Sequence, residues 1–273
     1  MSNCHIALLE AVHKGDSSQV VNLLLQGCEQ GVIDSALCWA SRYGNVEILE
    51  HLLRTGGDPN ARVWGGFTPL LWAVMYSSNA DVIHILLQAG SDVNHFSSRY
   101  RQTALHAAVI RGNEMFASLL LEAGANPDLQ DRMFKTPLLH AVQKRQPSCV
   151  ALLIKHNCNV DLSGWVSGLS TTPLTLALIQ GDLEITKMLL LAGAKFSNPA
   201  IYHSFTIEQY YKTVEDNLDI DVRPVYLQQQ CRVCIRQLLK PHFLQKLREL
   251  TLPRPLKGFL EISELDSVNE SMA

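Results

Sequence analysis

The sequence lacks the features that would place the protein in a membrane or in an oxidising compartment. No apolar run reaches the roughly eighteen residues needed to cross a bilayer. The first residues, Met1-Ser2-Asn3-Cys4-His5, do not have the charged-then-apolar plan of a secretory signal. The seven cysteines have no regular spacing, which predicts reduced thiols. We therefore expect a cytosolic protein, with the nucleus as a further location, and no membrane partner.

Charge and catalytic motifs are also scarce. Charged residues make up 18% of the 273 residues, against 47% hydrophobic ones, so the chain can bury a core. The net charge of -3 gives no whole-chain reason to expect a nucleic-acid partner. No nucleophile elbow, Walker loop or His-Glu-x-x-His pattern is present. We expect a non-catalytic protein without a cofactor.

A zinc site near Cys231-x-x-Cys234 and His242 is not favoured, because a structural site needs four ligands. No second cysteine pair accompanies the first one. Helical spacing instead places Cys234 beside Cys231. We therefore predict no metal ligands.

What the sequence does contain is a repeat. Four tetrads recur at spacings of 35, 33 and 36 residues, and an alanine follows each first threonine by five residues. The tetrads begin at Thr68, Thr103, Thr136 and Thr172, and the alanines are Ala73, Ala108, Ala141 and Ala177. Earlier, more degenerate copies surround Ala11 and Ala40. An apolar run that ends in Gly or Asn follows each alanine.

Each feature of the repeat has a structural role. Thr before Pro predicts an N-cap followed by a proline in the first helical turn. The alanine lets two helices approach closely, and the terminal Gly or Asn tolerates the left-handed backbone that ends a helix. The pattern predicts two helices and an extended loop per unit, and such units must stack to bury their apolar faces.

The Thr-Pro-Leu-x-x-Ala pattern at this period resembles the ankyrin repeat. The resemblance covers residues 4–200, in six repeats. It implies an all-α fold, an ankyrin-repeat solenoid, whose loop tips and concave face bind other proteins. Aromatic and arginine side chains there are the expected substrate contacts, although Phe67, Trp72 and Phe134 could instead pack between repeats. These candidates are Trp64, Phe67, Trp72, Tyr76, Phe96, Arg99, Tyr100, Arg101, Phe134 and Trp165.

The repeat pattern fails after Gly193-Ala194. Residues 201–222 contain an aromatic-rich stretch followed by acidic residues, which predicts a capping helix and an acidic linker. From residue 223 to residue 257 there are eight Lys or Arg against one acid. The apolar residues of this segment are spaced for one face of a helix, so the charges fit the solvated face of partner-binding helices.

This basic segment resembles a SOCS box, over residues 223–262. The family's elongin-binding motif, Leu-x-x-x-Cys-x-x-x-aliphatic, is met by Leu227, Cys231 and Ile235, and Leu238 extends the same stripe. Tyr226 stands where the family has a small hydroxyl residue. The resemblance makes the segment a small helical domain, followed by a disordered tail over residues 263–273.

The cullin-facing half of that family has a Leu-Pro-x-Pro motif followed by aliphatic and aromatic residues. Two registers are possible here, because Thr251 departs from the motif in one of them and Arg254 in the other. The first register gives the cullin-binding candidates Leu252, Pro253, Pro255, Leu256, Phe259 and Leu260.

Together the two resemblances identify the chain as a member of the ankyrin repeat and SOCS box family. Membership implies a substrate-recognition subunit of a ubiquitin ligase. Its SOCS box would bind elongin C with elongin B, then cullin-5 and a RING-box protein. Its ankyrin repeats would hold a protein substrate for ubiquitination and degradation.

Two other functions are compatible with the residues. The first is an ankyrin scaffold without ligase activity, whose C-terminal segment caps the stack. The second is a nucleic-acid-binding protein that uses the charge of the basic segment.

Overall fold

A computed structural model describes residues 3–63 and 65–195, which belong to the first of the two units of the chain, Met1–Pro199. This part contains twelve helices in six consecutive pairs. The pairs are α1 (Asn3–Lys14) with α2 (Ser17–Leu25), α3 (Gln30–Tyr43) with α4 (Val46–Arg54), α5 (Pro69–Tyr76) with α6 (Ala80–Gln88), α7 (Ala104–Ile110) with α8 (Glu114–Glu122), α9 (Pro137–Gln143) with α10 (Pro147–Lys155), and α11 (Pro173–Gln180) with α12 (Leu183–Leu191). The predicted helical ankyrin solenoid is confirmed.

The threonine that opens each tetrad caps a helix, as predicted. The hydroxyl oxygens of Thr68, Thr103, Thr136 and Thr172 each accept the backbone N–H three residues later. In three of the four helices a proline fills the first turn, where its missing N–H has no helical partner to lose. The caps therefore set where the first helix of each of these pairs begins.

The recurring alanines lie where helices of neighbouring repeats meet. All six of these alanines, from Ala11 to Ala177, are fully buried. The first helices of successive pairs pack against one another from α1 to α11, and the second helices do the same from α2 to α12. A side chain larger than alanine would push these helices apart. The apolar residues between the two helix layers form one continuous core.

Helix ends follow the predicted left-handed backbone. Gly124 ends the turn after α8 with a φ of 86°, and Asn157 occupies the same kind of position after α10 with a φ of 56°. Asparagine is one of the few residues other than glycine that tolerates this conformation. Asparagine in place of glycine after α10 therefore keeps the same left-handed turn at the helix end.

Long loops connect the helix pairs, and we call four of them the finger loops: residues 55–68, 89–103, 123–136 and 156–172. The first two are closed by single antiparallel bridges, Val63 to Phe67 and Phe96 to Thr103. The fourth forms a hairpin of β1 (Gly164–Val166) and β2 (Leu169–Thr171), which the all-helical prediction did not include. Its two-residue turn, Ser167-Gly168, has positive φ at both positions, as hairpins of this length require.

The cysteines differ in part from the prediction. Cys38, Cys149 and Cys158 are free and buried. Cys28 is disulfide-bonded, so the expectation of reduced thiols is wrong at this position. Separately, no helix within the described ranges combines the length and apolar character that a membrane span requires.

Several predicted segments lie outside the described residues. They are the capping helix and linker at 201–222, the SOCS box at 223–262 and the tail at 263–273. These domain boundaries, and the end of the ankyrin domain at residue 200, stay predictions.

Candidate functional site

The tips of successive finger loops are joined by backbone hydrogen bonds. The N–H of Ser98 donates to the carbonyl of Gly65 at 3.1 Å, and that of Arg132 donates to Tyr100 at 3.0 Å. The N–H of Trp165 donates to the carbonyl of Met133 at 2.8 Å. We call the surface formed by residues 95–101, 131–135 and 164–171 the finger ridge. The bonds of Arg132 and Trp165 fix each of its three segments to the next, so the ridge is one continuous surface.

The finger ridge exposes large apolar side chains. Phe134 is 57% exposed and Trp165 is 44% exposed, although apolar side chains of this size are usually buried. The full set of exposed apolar residues on the ridge is Phe96, Tyr100, Met133, Phe134, Trp165 and Leu169. A contiguous apolar surface of this kind marks an interaction site.

Arginine side chains lie over two of these rings. The guanidinium carbon of Arg101 is 4.9 Å from the centre of the Phe96 ring, and that of Arg99 is 5.1 Å from the Tyr100 ring. Cation–π contacts hold the two guanidinium groups in fixed positions. Among the described residues, neither arginine forms an ion pair, and Arg132 forms none either. The ridge therefore presents positive charge that its own residues do not neutralise.

The one carboxylate of the ridge, Asp131, is buried beneath it. Oδ2 of Asp131 accepts a hydrogen bond from Nε2 of His140 at 2.8 Å. Oδ1 accepts the backbone N–H groups of Met133 at 2.7 Å and Lys135 at 3.0 Å. Burial by itself would raise the pKa of Asp131, but these hydrogen bonds to the charged form outweigh burial and lower the pKa. The carboxylate is thus ionised, and it is used to close the turn that carries Phe134.

A second cluster of aromatic side chains lies on helices α3 and α5 and at the end of the first finger loop. We call it the aromatic stack: Trp39, Tyr43, Phe67, Trp72 and Tyr76. The Trp39 and Trp72 rings are stacked with centres 6.1 Å apart. Trp72 also stacks on Tyr76 at 5.2 Å. The stack joins two repeats, and Tyr43 and Tyr76 are partly open to solvent.

Arg42 lies against three rings of the aromatic stack. Its guanidinium carbon is 4.4 Å from the centre of the Tyr76 ring, 5.1 Å from Trp39 and 5.3 Å from Trp72. Within the described part of the chain no carboxylate forms an ion pair with it. The cluster combines a cation with aromatic surface, a composition common at protein interfaces.

The structure divides the predicted substrate contacts between these two surfaces. The finger ridge contains Phe96, Arg99, Tyr100, Arg101, Phe134 and Trp165. The aromatic stack contains Phe67, Trp72 and Tyr76, of which the first two are half-buried against each other, with ring centres 5.6 Å apart. Trp64 lies outside the described residues. Their role in binding stays a prediction.

Sequence reasoning missed Trp39, Arg42, Tyr43, Arg132 and Met133. A signal for two of them was present, because Trp39 and Trp72 are 33 residues apart and so are Tyr43 and Tyr76. Equal spacing at the repeat period places the two pairs on equivalent faces of neighbouring helices. Arg42 follows from no such rule, since its contacts depend on rings from another repeat.

The predicted elongin-binding and cullin-binding residues all lie outside the described residues. They are Leu227, Cys231, Ile235, Leu238, Leu252, Pro253, Pro255, Leu256, Phe259 and Leu260. Their roles rest on the sequence.

The described ranges contain no group of three or more His, Cys, Asp or Glu side chains arranged to hold a metal ion. Burial raises the pKa of the Cys38 and Cys158 thiols to about 12, so neither forms a thiolate near neutral pH.

Two protein families match this sequence. Ankyrin repeats (3 copies) match residues 8–97 and 105–200, and the SOCS box matches residues 223–261.

Curated relatives share the repeats. Human Ankyrin repeat and SOCS box protein 11 is 32% identical over 127 residues, which are 46% of this chain and 38% of the relative. The putative E3 ubiquitin-protein ligase XBAT35 of Arabidopsis thaliana is 40% identical over 125 residues, 45% of this chain and 27% of the relative. The putative ankyrin repeat protein FPV233 of fowlpox virus is 40% identical over 75 residues, 28% of this chain and 15% of the relative. The chain thus spans well under half the length of these relatives.

Proposed function

Because the chain belongs to the ankyrin repeat and SOCS box family, we propose that it is the substrate-recognition subunit of a ubiquitin ligase built on elongin B, elongin C, cullin-5 and a RING-box protein. The family is one of substrate receptors for cullin–RING ligases. The observation that carries the proposal is the joining of a folded ankyrin solenoid to a SOCS box in one chain. The proposed location is the cytosol, with the nucleus as a further site.

The chain itself does no chemistry in this proposal. It holds the substrate on the ankyrin repeats and the ligase on the SOCS box. This raises the effective concentration of substrate lysines near a charged ubiquitin-conjugating enzyme. Ubiquitination then directs the substrate to the proteasome.

The proposed elongin contacts are Leu227, Cys231, Ile235 and Leu238. Their spacing places them on one face of a helix, where Leu and the small, soft Cys side chain can enter an apolar groove. The proposed cullin contacts follow Pro253 and Pro255, since two prolines limit the freedom that this segment would lose on binding.

Co-purification tests the elongin contacts. The full chain is co-expressed with elongins B and C, and a variant with Leu227→Ala and Cys231→Ala is compared with it. We expect the variant to lose both elongins while the unfolding midpoint of its ankyrin repeats stays unchanged.

The matched control is Gln229→Ala with Val233→Ala, which by helical spacing lies on the opposite face. This control should keep both elongins. If the Leu227 and Cys231 variant retains them at the same ratio, the proposed contacts are wrong. If the unsubstituted chain binds no elongin, the alternative of a scaffold without ligase activity is supported instead.

A second pull-down separates the cullin step from the elongin step. Pro253→Ala with Leu256→Ala should reduce recovery of cullin-5 and leave elongin B and C bound. Recovery of cullin-2 in place of cullin-5 from the unsubstituted complex would contradict the proposed cullin.

A further inference from the structure

The residues of the finger ridge indicate which chemical groups a substrate would need to bind there. We propose that this ridge binds an acidic segment of a protein, one that also carries aromatic or aliphatic side chains. The proposal rests on the proposed function, because it describes the substrate of the ligase. The backbone strain, the charge and the exposed rings of the ridge support it.

Two bulky residues occupy left-handed backbone positions on the ridge. Arg101 and Phe134 each stand two residues before a capping threonine, with φ of 52° and 56°. In the preceding finger loop the same position is Gly66, with φ of 76°. Glycine adopts this backbone without steric cost, whereas residues with a side chain are strained in it.

Burial does not offset this strain. Phe134 is 57% exposed, and Arg101 is exposed as well. Glycine at either position would therefore make the isolated protein more stable. Strained residues that persist on an exposed surface point to a role in binding.

The charge of the ridge calls for carboxylates in the partner. Its basic residues are Arg99, Arg101, Arg132 and Lys135, and its one acid is Asp131. The Asp131 carboxylate is buried and accepts hydrogen bonds from His140 and from the turn. Acidic side chains of a partner would therefore find no competing carboxylate on the ridge.

The arginines are held ready for such a contact. Arg99 and Arg101 already place one face of the guanidinium group on a ring, at 5.1 Å from Tyr100 and 4.9 Å from Phe96. The N–H edges of a planar guanidinium match the two oxygens of a carboxylate. Since the rings hold the groups in place, less side-chain freedom is lost when the partner binds.

The apolar part of the partner follows from the exposed rings. Phe134 and Trp165 lie on adjacent segments, which the hydrogen bond from Trp165 N–H to the Met133 carbonyl joins at 2.8 Å. Burying these rings would supply most of the affinity of such an interface. A partner with carboxylates alone would leave them in water.

Single-stranded RNA is the other ligand that arginine and aromatic residues attract. A guanidinium group that already lies on a protein ring has one face less for stacking on a base. The edges that remain suit carboxylates. The geometry therefore favours an acidic protein, and RNA is tested as an outcome.

A binding experiment on the full chain tests the charge. The probes are a fluorescein-labelled random copolymer of glutamate and tyrosine, poly-glutamate of equal length, and poly-uridine RNA, each measured by fluorescence anisotropy. We expect the copolymer to bind more tightly than either of the other two. Arg99→Glu with Arg132→Glu should weaken copolymer binding by roughly tenfold or more.

The matched control is Lys155→Glu with Lys187→Glu, which changes the net charge equally at exposed positions on α10 and α12. It should leave copolymer binding within about twofold, because neither residue belongs to the finger ridge and exposed charges that do not contact the ligand are screened by salt. Equal weakening by both pairs would overturn the proposal, and so would tighter binding of the RNA. Equal affinity for poly-glutamate and for the copolymer would overturn the requirement for aromatic or aliphatic side chains in the partner.

A second experiment uses the strained positions. Arg101→Gly and Phe134→Gly should each raise the urea midpoint of the full chain and weaken copolymer binding several-fold, by roughly the effect of losing one interface residue. Asn157→Gly is the control, since this residue has the same backbone and lies at the end of α10. It should not change binding. A lower midpoint in the two ridge variants would show a structural role for these residues and overturn the proposal.

The two proposals fail separately. The ridge variants should keep elongin B and C, and the Leu227 and Cys231 variant should keep copolymer binding. A chain that binds elongins but not the copolymer contradicts the substrate chemistry alone. A chain that binds the copolymer but not elongins contradicts the ligase function.

Discussion

The imidazole of His140 donates from Nε2 to the carboxylate of Asp131 at 2.8 Å, beneath the surface of the third finger loop, residues 123–136. The second oxygen of the same carboxylate accepts the N–H groups of Met133 and Lys135. One buried pair thus fixes both the base of the loop and the turn at its tip. The exposed position of Phe134 depends on it.

Replacing Asp131 should therefore destabilise the protein. Asp131→Ala removes three hydrogen bonds and leaves buried N–H groups without an acceptor, so we expect the unfolding free energy to fall by about 3 kcal/mol. Asp131→Asn keeps one acceptor oxygen and should cost less. Urea denaturation followed by tryptophan fluorescence measures both.

Asp92→Ala is the control for this change. Asp92 is exposed and its carboxylate accepts the N–H of Asn94 at 2.9 Å, also in a finger loop. Its replacement should cost no more than about 1 kcal/mol. Equal losses of unfolding free energy in the Asp131 and Asp92 variants would contradict a larger stabilising contribution from the buried Asp131–His140 pair.

The stability of the protein should also depend on the protonation of His106. Its Nε2 donates to the carbonyl of Lys135 at 3.1 Å, and its Nδ1 is 2.9 Å from the hydroxyl of Thr103. Burial, only partly opposed by the Lys135 carbonyl, lowers the pKa of His106 from 6.5 to about 4. The folded protein therefore keeps this side chain neutral at pH values where the unfolded chain protonates it.

The contribution of His106 to the unfolding free energy is complete above pH 6.5 and is lost as the pH falls from 6.5 towards 4. At pH 5 the unfolding free energy should be lower than at pH 7.5 by about 2 kcal/mol from this residue. Urea denaturation at a series of pH values measures the slope. His106→Gln should flatten the slope between pH 6.5 and 4, and an unchanged slope would contradict the assignment.

Arg42 should stabilise the contact between the second and third repeats. Arg42→Ala removes its cation–π contacts with Trp39, Trp72 and Tyr76, and we expect a loss of about 1 kcal/mol. Tryptophan emission should shift as well, because the positive charge over the Trp39 and Trp72 indole rings is removed.

Arg54→Ala is the matched control on α4, the second helix of the same repeat. Arg54 forms an exposed ion pair with Glu50 at 2.7 Å, and such pairs contribute about 0.5 kcal/mol or less. Its replacement should leave the emission unchanged. If Arg42→Ala and Arg54→Ala lower the unfolding free energy equally, the aromatic rings around Arg42 do not add to stability.

The sequence predicts the solenoid well because its signals are local. Thr136 before Pro137 determines where a helix begins, and the size of Ala141 determines how closely the neighbouring helix approaches. The hairpin at residues 164–171 was missed, because its pairing depends on a turn at Ser167-Gly168 rather than on an alternating apolar pattern. The helical fold of the repeats was therefore predictable, and the shape of this loop was not.

The candidate site was predictable only by residue type. Six residues of the finger ridge were chosen because aromatic and arginine side chains are common at interfaces. Their arrangement follows from hydrogen bonds between loops about 33 residues apart, such as Arg132 N–H to the Tyr100 carbonyl. The pairing of Asp131 with His140 was missed for the same reason, since a contact across nine residues follows no helical or strand period.

At Gly164 two segments of the finger ridge lie too close together for a side chain. A Cβ atom there would lie 2.7 Å from the carbonyl oxygen of Phe134 and 2.9 Å from the Cα atom of Lys135. Backbone atoms cannot move aside as a flexible side chain can, so Gly164→Ala should lower the unfolding free energy by roughly 1–3 kcal/mol. It should also weaken the hydrogen bond from Trp165 to Met133.

Gly31→Ala is the control, because this glycine lies in α3, its φ is not in the left-handed range, and nothing lies within 4 Å of an added Cβ. That change should raise the unfolding free energy by about 0.5–1 kcal/mol, since alanine favours a helix. Urea denaturation of the two variants should therefore move the midpoint in opposite directions, and a shift in the same direction would contradict the close approach of the two loops.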